Sequence, residues 1–529
     1  MRRKLGWGHA ESERIVDTFS NPVIEENARI TGLHADTPSC SKHRFHGPAA
    51  LGERFRNSQR SWRRSAFRRL DRCDLSEATR ELCQPPKHSW AFVDVVLFLP
   101  AHKTFGVTIA NVCGGDQGRH RVRPSVRVLM VSQFYPPIAG GQEHHVRNLA
   151  HALAGHGHRV EVVTIATDGP AETTLDGAVP LHRIRTTAQR MPHLYTDSVR
   201  PHAMPIVDPG FRSAITRLLD DGKFEIVHAH DWSVGSAIGP ARHAGVPVVL
   251  TQHEYSHVCA TKRLMRGGHE VCPGPTPLAC VRCTSSWYGP VVGPGVALTN
   301  ALARRTRTRH VDAFIPVSSA VAINTGLPGR SPYVVIPNFI PDDLVVNEPA
   351  PNPDGPIVFA GLLSRDKGIG VLLEAHRRLE GRRPLVLAGR LLDDTPLDLS
   401  DEVELRGLLD HSSVIELMRR ACVVVVPSLV PDCCPTVVLE AMAVGRPVVA
   451  AASGGIVDLV DDGVTGLLVP PGDPVALATA LATVLDDPQR ASAMGHAAHT
   501  RARSFTASAV VGRIEELYAT LVAGRPLPA

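Results

Sequence analysis

Asp432 and Glu440 are separated by seven residues and flank what reads as the opening of a helix. Helix N-termini carry unpaired amides that attract anions. Carboxylates held beside one are therefore suited to accept hydrogen bonds from hydroxyls, as a sugar nucleotide offers. The alternative is a capping Asp with a solvated Glu. Lys367 and Arg365 stand at a second helix opening, Ser364-Arg365-Asp366-Lys367-Gly368, where cations are surface charge unless a longer motif claims them. His253 directly follows one apolar run and His230 closes another. In α/β sheets such positions at strand C-termini face the ligand crevice, although a lone histidine is more commonly a packed one. Cys259, Cys272, Cys280 and Cys283 are spaced C-x12-C-x7-C-x2-C. Four thiolates could close a tetrahedral structural zinc site, with four reduced thiols in a packed loop as the alternative.

The elements that must position these residues can be read from apolar patterning. Val423 to Val426 is a buried strand, and Pro427 and Pro431 bracket the break after it. Pro435 suits a first helical turn, Val438, Leu439, Met442 and Ala443 recur at helical spacing, and Gly445 ends that helix before a strand at Pro447 to Ala450. Further back, Val126 to Ser132 reads as a buried strand. It is followed by Gly140-Gly141 and a helix with Val146, Leu149, Ala150 and Leu153 on one face. Strand, glycine turn and helix form the phosphate-binding start of a doubly wound unit, because backbone without side chains can approach a ligand closely. Strands are also expected at 159–164, 224–229, 246–250, 313–317, 333–336, 356–362, 384–388 and 403–406. A basic helix is expected at Ala297 to His310, and terminal helices at 476–485, 489–504 and 507–522.

The chain has 529 residues, 43% hydrophobic, with a formal net charge of +5 and 11 cysteines. That length predicts more than one domain. The mild positive charge permits contact with a nucleotide diphosphate or anionic lipid and does not argue for nucleic acid. The longest apolar run, Ala91 to Ala101, is too short to cross a bilayer and contains Asp94 and Pro100. Met1-Arg2-Arg3-Lys4 is followed by no apolar signal core, so a cytoplasmic protein is expected, with peripheral contact at the inner membrane face as a further option. Residues 1–124 are rich in Arg, Ser and His and read as a largely disordered extension, in which Gly52 to Arg72 could form a basic helix. The rest divides into a Rossmann-like domain at 125–340 with a Cys-rich insertion at 256–290, a linker at 341–355, a second Rossmann-like domain at 356–506 and a closing helix at 507–529.

Asp432-x7-Glu440 with Ala441-Met442-Ala443 and Gly445-Arg446-Pro447-Val448-Val449 resembles the E-x7-E signature of retaining glycosyltransferases, in particular glycosyltransferase family 4, with Asp where the family usually has Glu. Gly361-Leu362-Leu363-Ser364-Arg365-Asp366-Lys367-Gly368 is similar to the family's G-R-L-x-x-x-K-G. Leu362 replaces the diphosphate-binding Arg, and Arg365 stands three residues on. The resemblance runs from about Val126 to the C-terminus. It implies a GT-B fold, an α/β architecture of two Rossmann-like lobes around a cleft, with the last helix crossing back to the first lobe. It implies transfer of a sugar from a UDP- or GDP-sugar to a glycan or lipid-linked hydroxyl acceptor, with retention and without a catalytic metal, as in envelope or exopolysaccharide synthesis. The implied donor site comprises Gly140, Gly141, Arg365, Lys367, Gly389, Cys433, Cys434, Pro435, Thr436 and Glu440. His253, Lys367, Asp432 and Glu440 are the implied catalytic residues, and His230 and Glu143 lie on the implied acceptor side. A GT-B epimerase or hydrolase, and a non-catalytic GT-B scaffold, are the competing readings.

Overall fold

The computed structural model describes residues 95–97, 105–107, 125–138, 140–167, 169–190, 203–267, 270–345, 352–392, 395 and 399–527. Two units divide the chain, Met1–Arg119 and His120–Ala529. In the first, strands Val95–Leu97 and Phe105–Val107 pair antiparallel. The expected disorder and the basic helix at Gly52 to Arg72 otherwise lie outside the described residues.

The second unit contains two sheets. The first is built from β1 (Arg127–Val131), β2 (Arg159–Ile165), β3 (Glu172–Asp176), β4 (Val179–Ile184), β5 (Ile226–Ala229), β6 (Val248–Gln252) and β7 (Ala313–Pro316). Their spatial order is β7-β6-β5-β1-β2-β4-β3, parallel except for the β3–β4 edge pair. The second sheet contains β8 (Ile357–Ala360), β9 (Leu385–Ala388), β10 (Val403–Gly407), β11 (Val423–Val426), β12 (Val448–Ala451) and β13 (Gly466–Val469). It runs β10-β9-β8-β11-β12-β13, all parallel. This is the doubly wound order, with its reversal point between β8 and β11.

Strands covered on both faces need apolar residues at every position. In β11, Val423 and Val425 pack into one apolar cluster while Val424 and Val426 pack into another on the opposite face. The second of these clusters also takes in Tyr255, Val258, Leu264, Val317 and Val321 from the first lobe. The lobes therefore share part of one core.

Three helices open at the reversal points: α1 (Gly141–Gly155) after β1, α6 (Ile369–Arg377) after β8 and α8 (Thr436–Ala443) after β11. Between them in sequence come α2 (Pro209–Gly222), α3 (Val234–Ala244), α4 (Pro277–His310), α5 (Ser319–Thr325) and α7 (His411–Arg420). The chain closes with α9 (Ile456–Leu459), α10 (Pro474–Asp486), α11 (Pro488–Ala502) and α12 (Ala507–Val522). Helix α12 packs Val510, Val511, Ile514 and Leu517 against Val128, Val146 and Leu149 of the first lobe. The Tyr518 hydroxyl lies 2.6 Å from His228 Nδ1 on β5, and Glu515 lies 2.5 Å from His156 Nδ1 and 3.3 Å from His158 Nε2.

Some local expectations differ from the fold. The strand expected at Tyr333 to Ile336 forms only an isolated bridge, Phe314 to Tyr333, between flanking prolines 332 and 337. The β3–β4 pair had no apolar signal because Glu172–Asp176 is largely exposed. Cys280 and Cys283 do not lie in a loop. They sit in the first turns of α4, a 34-residue helix with Pro277 in its first turn and a break at Gly289 (φ 84°), just before Pro290. The basic helix expected at Ala297 to His310 is its second half. Of the expected linker at 341–355, Asp342–Leu344 is a 3-10 turn and 346–351 lie outside the described residues.

Candidate functional site

The loop after β11 and the loop after β8 meet at an ion pair between Lys367 Nζ and Asp432 Oδ1. The lysine side chain is 29% exposed and the aspartate 11%. Burial disfavours the ammonium, yet the opposing attraction of Asp432 and then Asp366 leaves Lys367 above the usual lysine range, so it is a firm cation. Asp432 Oδ2 is enclosed and has no hydrogen-bond partner among the described residues. The backbone of the same residue is fixed, because Gly455 N donates to Asp432 O at 2.6 Å.

Helix α8 begins directly after this aspartate. Pro435 is its N-cap and supplies no side-chain hydrogen bond. Gly368 before α6 and Gly140 before α1 are likewise caps without side-chain hydrogen bonds. Asp208, Asp410 and Asp473 cap α2, α7 and α10, while α3, α4, α9 and α12 also open without a side-chain hydrogen bond at the cap. Helix openings left without a capping oxygen are suited to an external anion. Cys433 and Cys434 line the α8 opening. Burial pushes both thiols up, Cys434 to about 12, so neither adds negative charge beside it.

Glu440 lies one turn into α8, its side chain 13% exposed. His411 Nε2, at the start of α7, is 3.1 Å from Glu440 Oε1. That hydrogen bond raises the His411 pKa above the usual histidine range. The His411 ring in turn stacks on His144 of α1, with centroids 6.3 Å apart. Glu440 is thereby connected to the first lobe. Arg263 bonds Asp366, the residue before Lys367, and Asn338 Nδ2 donates to Cys434 O at 2.9 Å. These contacts also bridge the lobes.

The first lobe contributes a cluster of histidines. His230 Nδ1 and His253 Nε2 are 3.1 Å apart, the His145 ring lies 4.8 Å from that of His253, and His228 lies 4.3 Å from His230. Burial lowers the pKa of all four, taking His228 to about 3 and His253 to about 4, so they are neutral imidazoles at pH 7. Among the described residues, enclosed atoms without hydrogen-bond partners remain at His145 Nδ1, His230 Nε2, His253 Nδ1 and Asn338 Oδ1. Buried polar atoms are ordinarily satisfied, so orphans gathered at a reversal point mark where ligand hydroxyls would bind.

Asp231 holds this lobe's loops together. Its carboxylate accepts hydrogen bonds from Gln133 N at 2.7 Å, Ser233 N at 2.7 Å and Gln142 Nε2 at 3.0 Å.

The remaining sequence-derived residues are placed as follows. The Glu143 carboxylate is buried and folds back over Gly140. A Cβ there would lie 2.1 Å from Glu143 Oε2, so a side chain at this position would displace that carboxylate. Glu143 thus shapes the α1 opening. Gly141 is open on all sides. Arg365 is exposed, with no ion pair among the described residues. Gly389 follows β9 at φ 147°, and a Cβ would meet Gly361 O at 1.6 Å, so it packs two strand ends together. Thr436 is the first residue of α8 and is half-buried.

Cys259, Cys272, Cys280 and Cys283 are free, and the other three contribute, after burial, to raising the Cys280 thiol. Nonetheless, no group of three or more His, Cys, Asp or Glu among the described residues is arranged to hold a metal ion. Sequence reasoning missed His145, Asn338 and His411 as site residues. His144-His145 beside the glycine pair was the available signal for the first.

Comparison with known proteins agrees with this architecture. Residues 139–344 match the model described as Glycosyltransferase Family 4. Residues 355–487 match Glycosyl transferases group 1. The chain is 30% identical over 410 residues to glycogen synthase from Mycobacterium tuberculosis, covering 72% of this chain and 91% of that protein. It is 29% identical over 437 residues to D-inositol 3-phosphate glycosyltransferase 1 from Catenulispora acidiphila, covering 75% and 96%. Sucrose-phosphate synthase from Thermosynechococcus elongatus superposes with a TM-score of 0.58 at 22% identity, over 75% of this chain and 100% of that one. HepE from Anabaena, in complex with UDP-glucose, gives 0.55 at 19% identity, over 75% and 100%. Two doubly wound lobes in contact, matched in turn by these two models and by a relative of this identity and coverage, place the chain in glycosyltransferase family 4, as a glycosyltransferase of the GT-B fold.

Proposed function

We propose that the protein transfers a sugar from a nucleotide diphosphate sugar, UDP- or GDP-linked, to a hydroxyl of a glycan or lipid-linked acceptor, with retention at the anomeric carbon. The observation that carries this reading is the Lys367–Asp432 pair beside the uncapped opening of α8, with Glu440 one turn on. Glycogen synthase and HepE bound to UDP-glucose, among the similar proteins, support a nucleotide-sugar donor.

The costly event is breakage of the bond from the anomeric carbon to the diphosphate oxygen, which leaves negative charge on the phosphate. Lys367, the exposed Arg365 and the free amides at the openings of α6 and α8 offset that charge. Asp432 Oδ2 and the amides after it hold hydroxyls of the transferred sugar, and Glu440 accepts from the ribose hydroxyls. His253 is neutral at pH 7. Its unpaired Nδ1 can orient a sugar or acceptor hydroxyl through one hydrogen bond. The acceptor oxygen forms its bond to the anomeric carbon on the face the phosphate leaves, and its proton passes to the departing phosphate oxygen. No divalent ion takes part. Contact between the lobes at Arg263–Asp366 and Asn338–Cys434 keeps competing water out.

Glu440→Ala tests the assignment. Transfer is expected to fall by about two orders of magnitude or more, in line with loss of a group that positions the reacting atoms, while the melting temperature stays near wild type. Wild-type turnover in that variant would reject the site. Donor consumption measured with and without acceptor separates transfer from hydrolysis, since equal rates would favour a hydrolase. A thermal-shift screen of UDP- and GDP-sugars identifies the donor, because a ligand that binds the folded state raises its apparent stability.

A further inference from the structure

A second cavity lies in the first lobe, formed by the Cys-rich segment, the second half of α4 and the end of α5. It encloses about 720 Å³, within the range of a ligand site. Its floor is aliphatic, with Val258, Ala260, Val281, Ala297 and Ala301 among the lining residues. Arg304, Arg305, Arg309 and Arg330 line it as well. Among the described residues none of these four arginines has a carboxylate partner. Arg304 and Arg330 converge on Gly326, where a Cβ would lie 3.5 Å from one guanidinium and 4.0 Å from the other.

Two like charges brought together without a carboxylate partner among the described residues, with a third close by at Arg307, suit an anion. Arg307 is buried and, among the described residues, bonds neutral acceptors: the carbonyls of Ser256 and His257, and Asn300 Oδ1. Burial and then Arg304 lower it to about 9, while burial and then Arg330 lower Arg304. The helix around the cavity also has an unusual surface. Leu278, Trp287, Val291, Leu298 and Leu302 of α4 are all exposed, between 46% and 90%. Leu298, Leu302, Arg305 and Arg309 recur at i, i+4, i+7 and i+11 and share one face. That stripe is apolar at one end and cationic at the other, as in helices that lie at a membrane interface.

We propose that this groove seats an anionic phospholipid of a membrane surface, with its phosphate against Arg304, Arg305 and Arg330 and its first acyl carbons against Ala297, Leu298 and Ala301. The charge complementarity selects an anion, and the aliphatic floor beside it selects one that carries a hydrocarbon chain. A nucleotide would leave that floor without a stacking partner. None of these residues belongs to the reaction site proposed above, so the inference stands or falls independently of it.

The test is flotation of the full chain with vesicles of phosphatidylcholine alone, and with vesicles of phosphatidylcholine and phosphatidylglycerol in equal parts, at one fixed ionic strength. Wild type is expected to float only with the second. Arg304→Glu with Arg305→Glu is expected to weaken that binding roughly 30-fold, about fivefold for each cation lost from the surface and somewhat more for its reversal, with donor turnover unchanged. Leu298→Ser with Leu302→Ser, at two exposed positions, is expected to weaken it as well and serves if the charge-reversed variant does not fold. Equal binding to both vesicle types, or variants that float like wild type, would overturn the proposal, as a membrane contact elsewhere in the chain would then be responsible. Release by inorganic phosphate at unchanged ionic strength would reduce the groove to a phosphate site. Failure to float, together with self-association that the variants abolish, would assign it to a second copy of the chain.

Discussion

Asp432 serves two partners with one carboxylate. One oxygen neutralises Lys367 and the other is left enclosed and unpaired. The pair therefore holds the lysine charged and near the α8 opening while keeping an acceptor free. Asp432→Asn should leave the lysine without its counter-charge. The expected loss is about 1–3 kcal/mol of stability, the usual cost of a buried polar group deprived of its partner, together with loss of transfer. Urea unfolding and turnover measured on the same preparation check both. Unchanged values would mean that the pair is solvated. At this scale the sequence was informative where chemistry and local pattern coincided: Asp432 and Lys367 sit before helix openings announced by proline or glycine, and Glu440 lies one turn inside the first of them. It was silent on His145 and Asn338. A histidine on the apolar face of α1, and an asparagine between Pro337 and Phe339, become site residues only when distant strands converge.

Among the elements, α12 and α4 carry the longest-range consequences. The Tyr518 hydroxyl meets His228 across 290 positions of sequence, a pairing that no local pattern could announce. Tyr518→Phe should leave His228 Nδ1 unpaired in the core, lower stability by about 1–3 kcal/mol and loosen α12 from β1 and α1. Protection of α12 amides in hydrogen exchange is the measurement, and unaltered protection would show that the apolar contacts of Val511 and Ile514 suffice. The α4 segment misled for the opposite reason. Pro273, Pro275 and Pro277 suggested loop, yet Pro277 occupies the first turn of α4, where no amide is needed, and the break at Gly289 comes just before Pro290. Strands were legible because both faces of a parallel sheet are covered, so Val423 to Val426 could be nothing else. The exposed β3 carried no such mark. Elemental analysis decides the Cys-rich segment: about one zinc per chain would establish the expected structural site, and well under one would leave four reduced thiols.

For the whole molecule, the histidine cluster sets an acid limit. His145, His228, His230 and His253 are held neutral in the folded state, with His228 at about 3 and His253 at about 4 against an ordinary 6.5. The unfolded chain binds those protons first. Their contribution to stability is therefore complete above about pH 6.5 and is lost as pH falls from there toward 4 and below. Melting temperature should drop steeply across that window, and His228→Gln should flatten the slope. A melting temperature independent of pH between 4 and 6.5 would mean that the cluster is already open to water.

The packing of α12 on the first lobe has a consequence for how the protein is made. Val126 and Val128 leave the ribosome well before Val511, Ile514 and Tyr518, which complete the apolar face they share. Nascent chains must therefore carry an unfinished sheet until α12 has been made. A stop codon before α12 would release a product whose damage lies at β1, hundreds of residues upstream of the truncation.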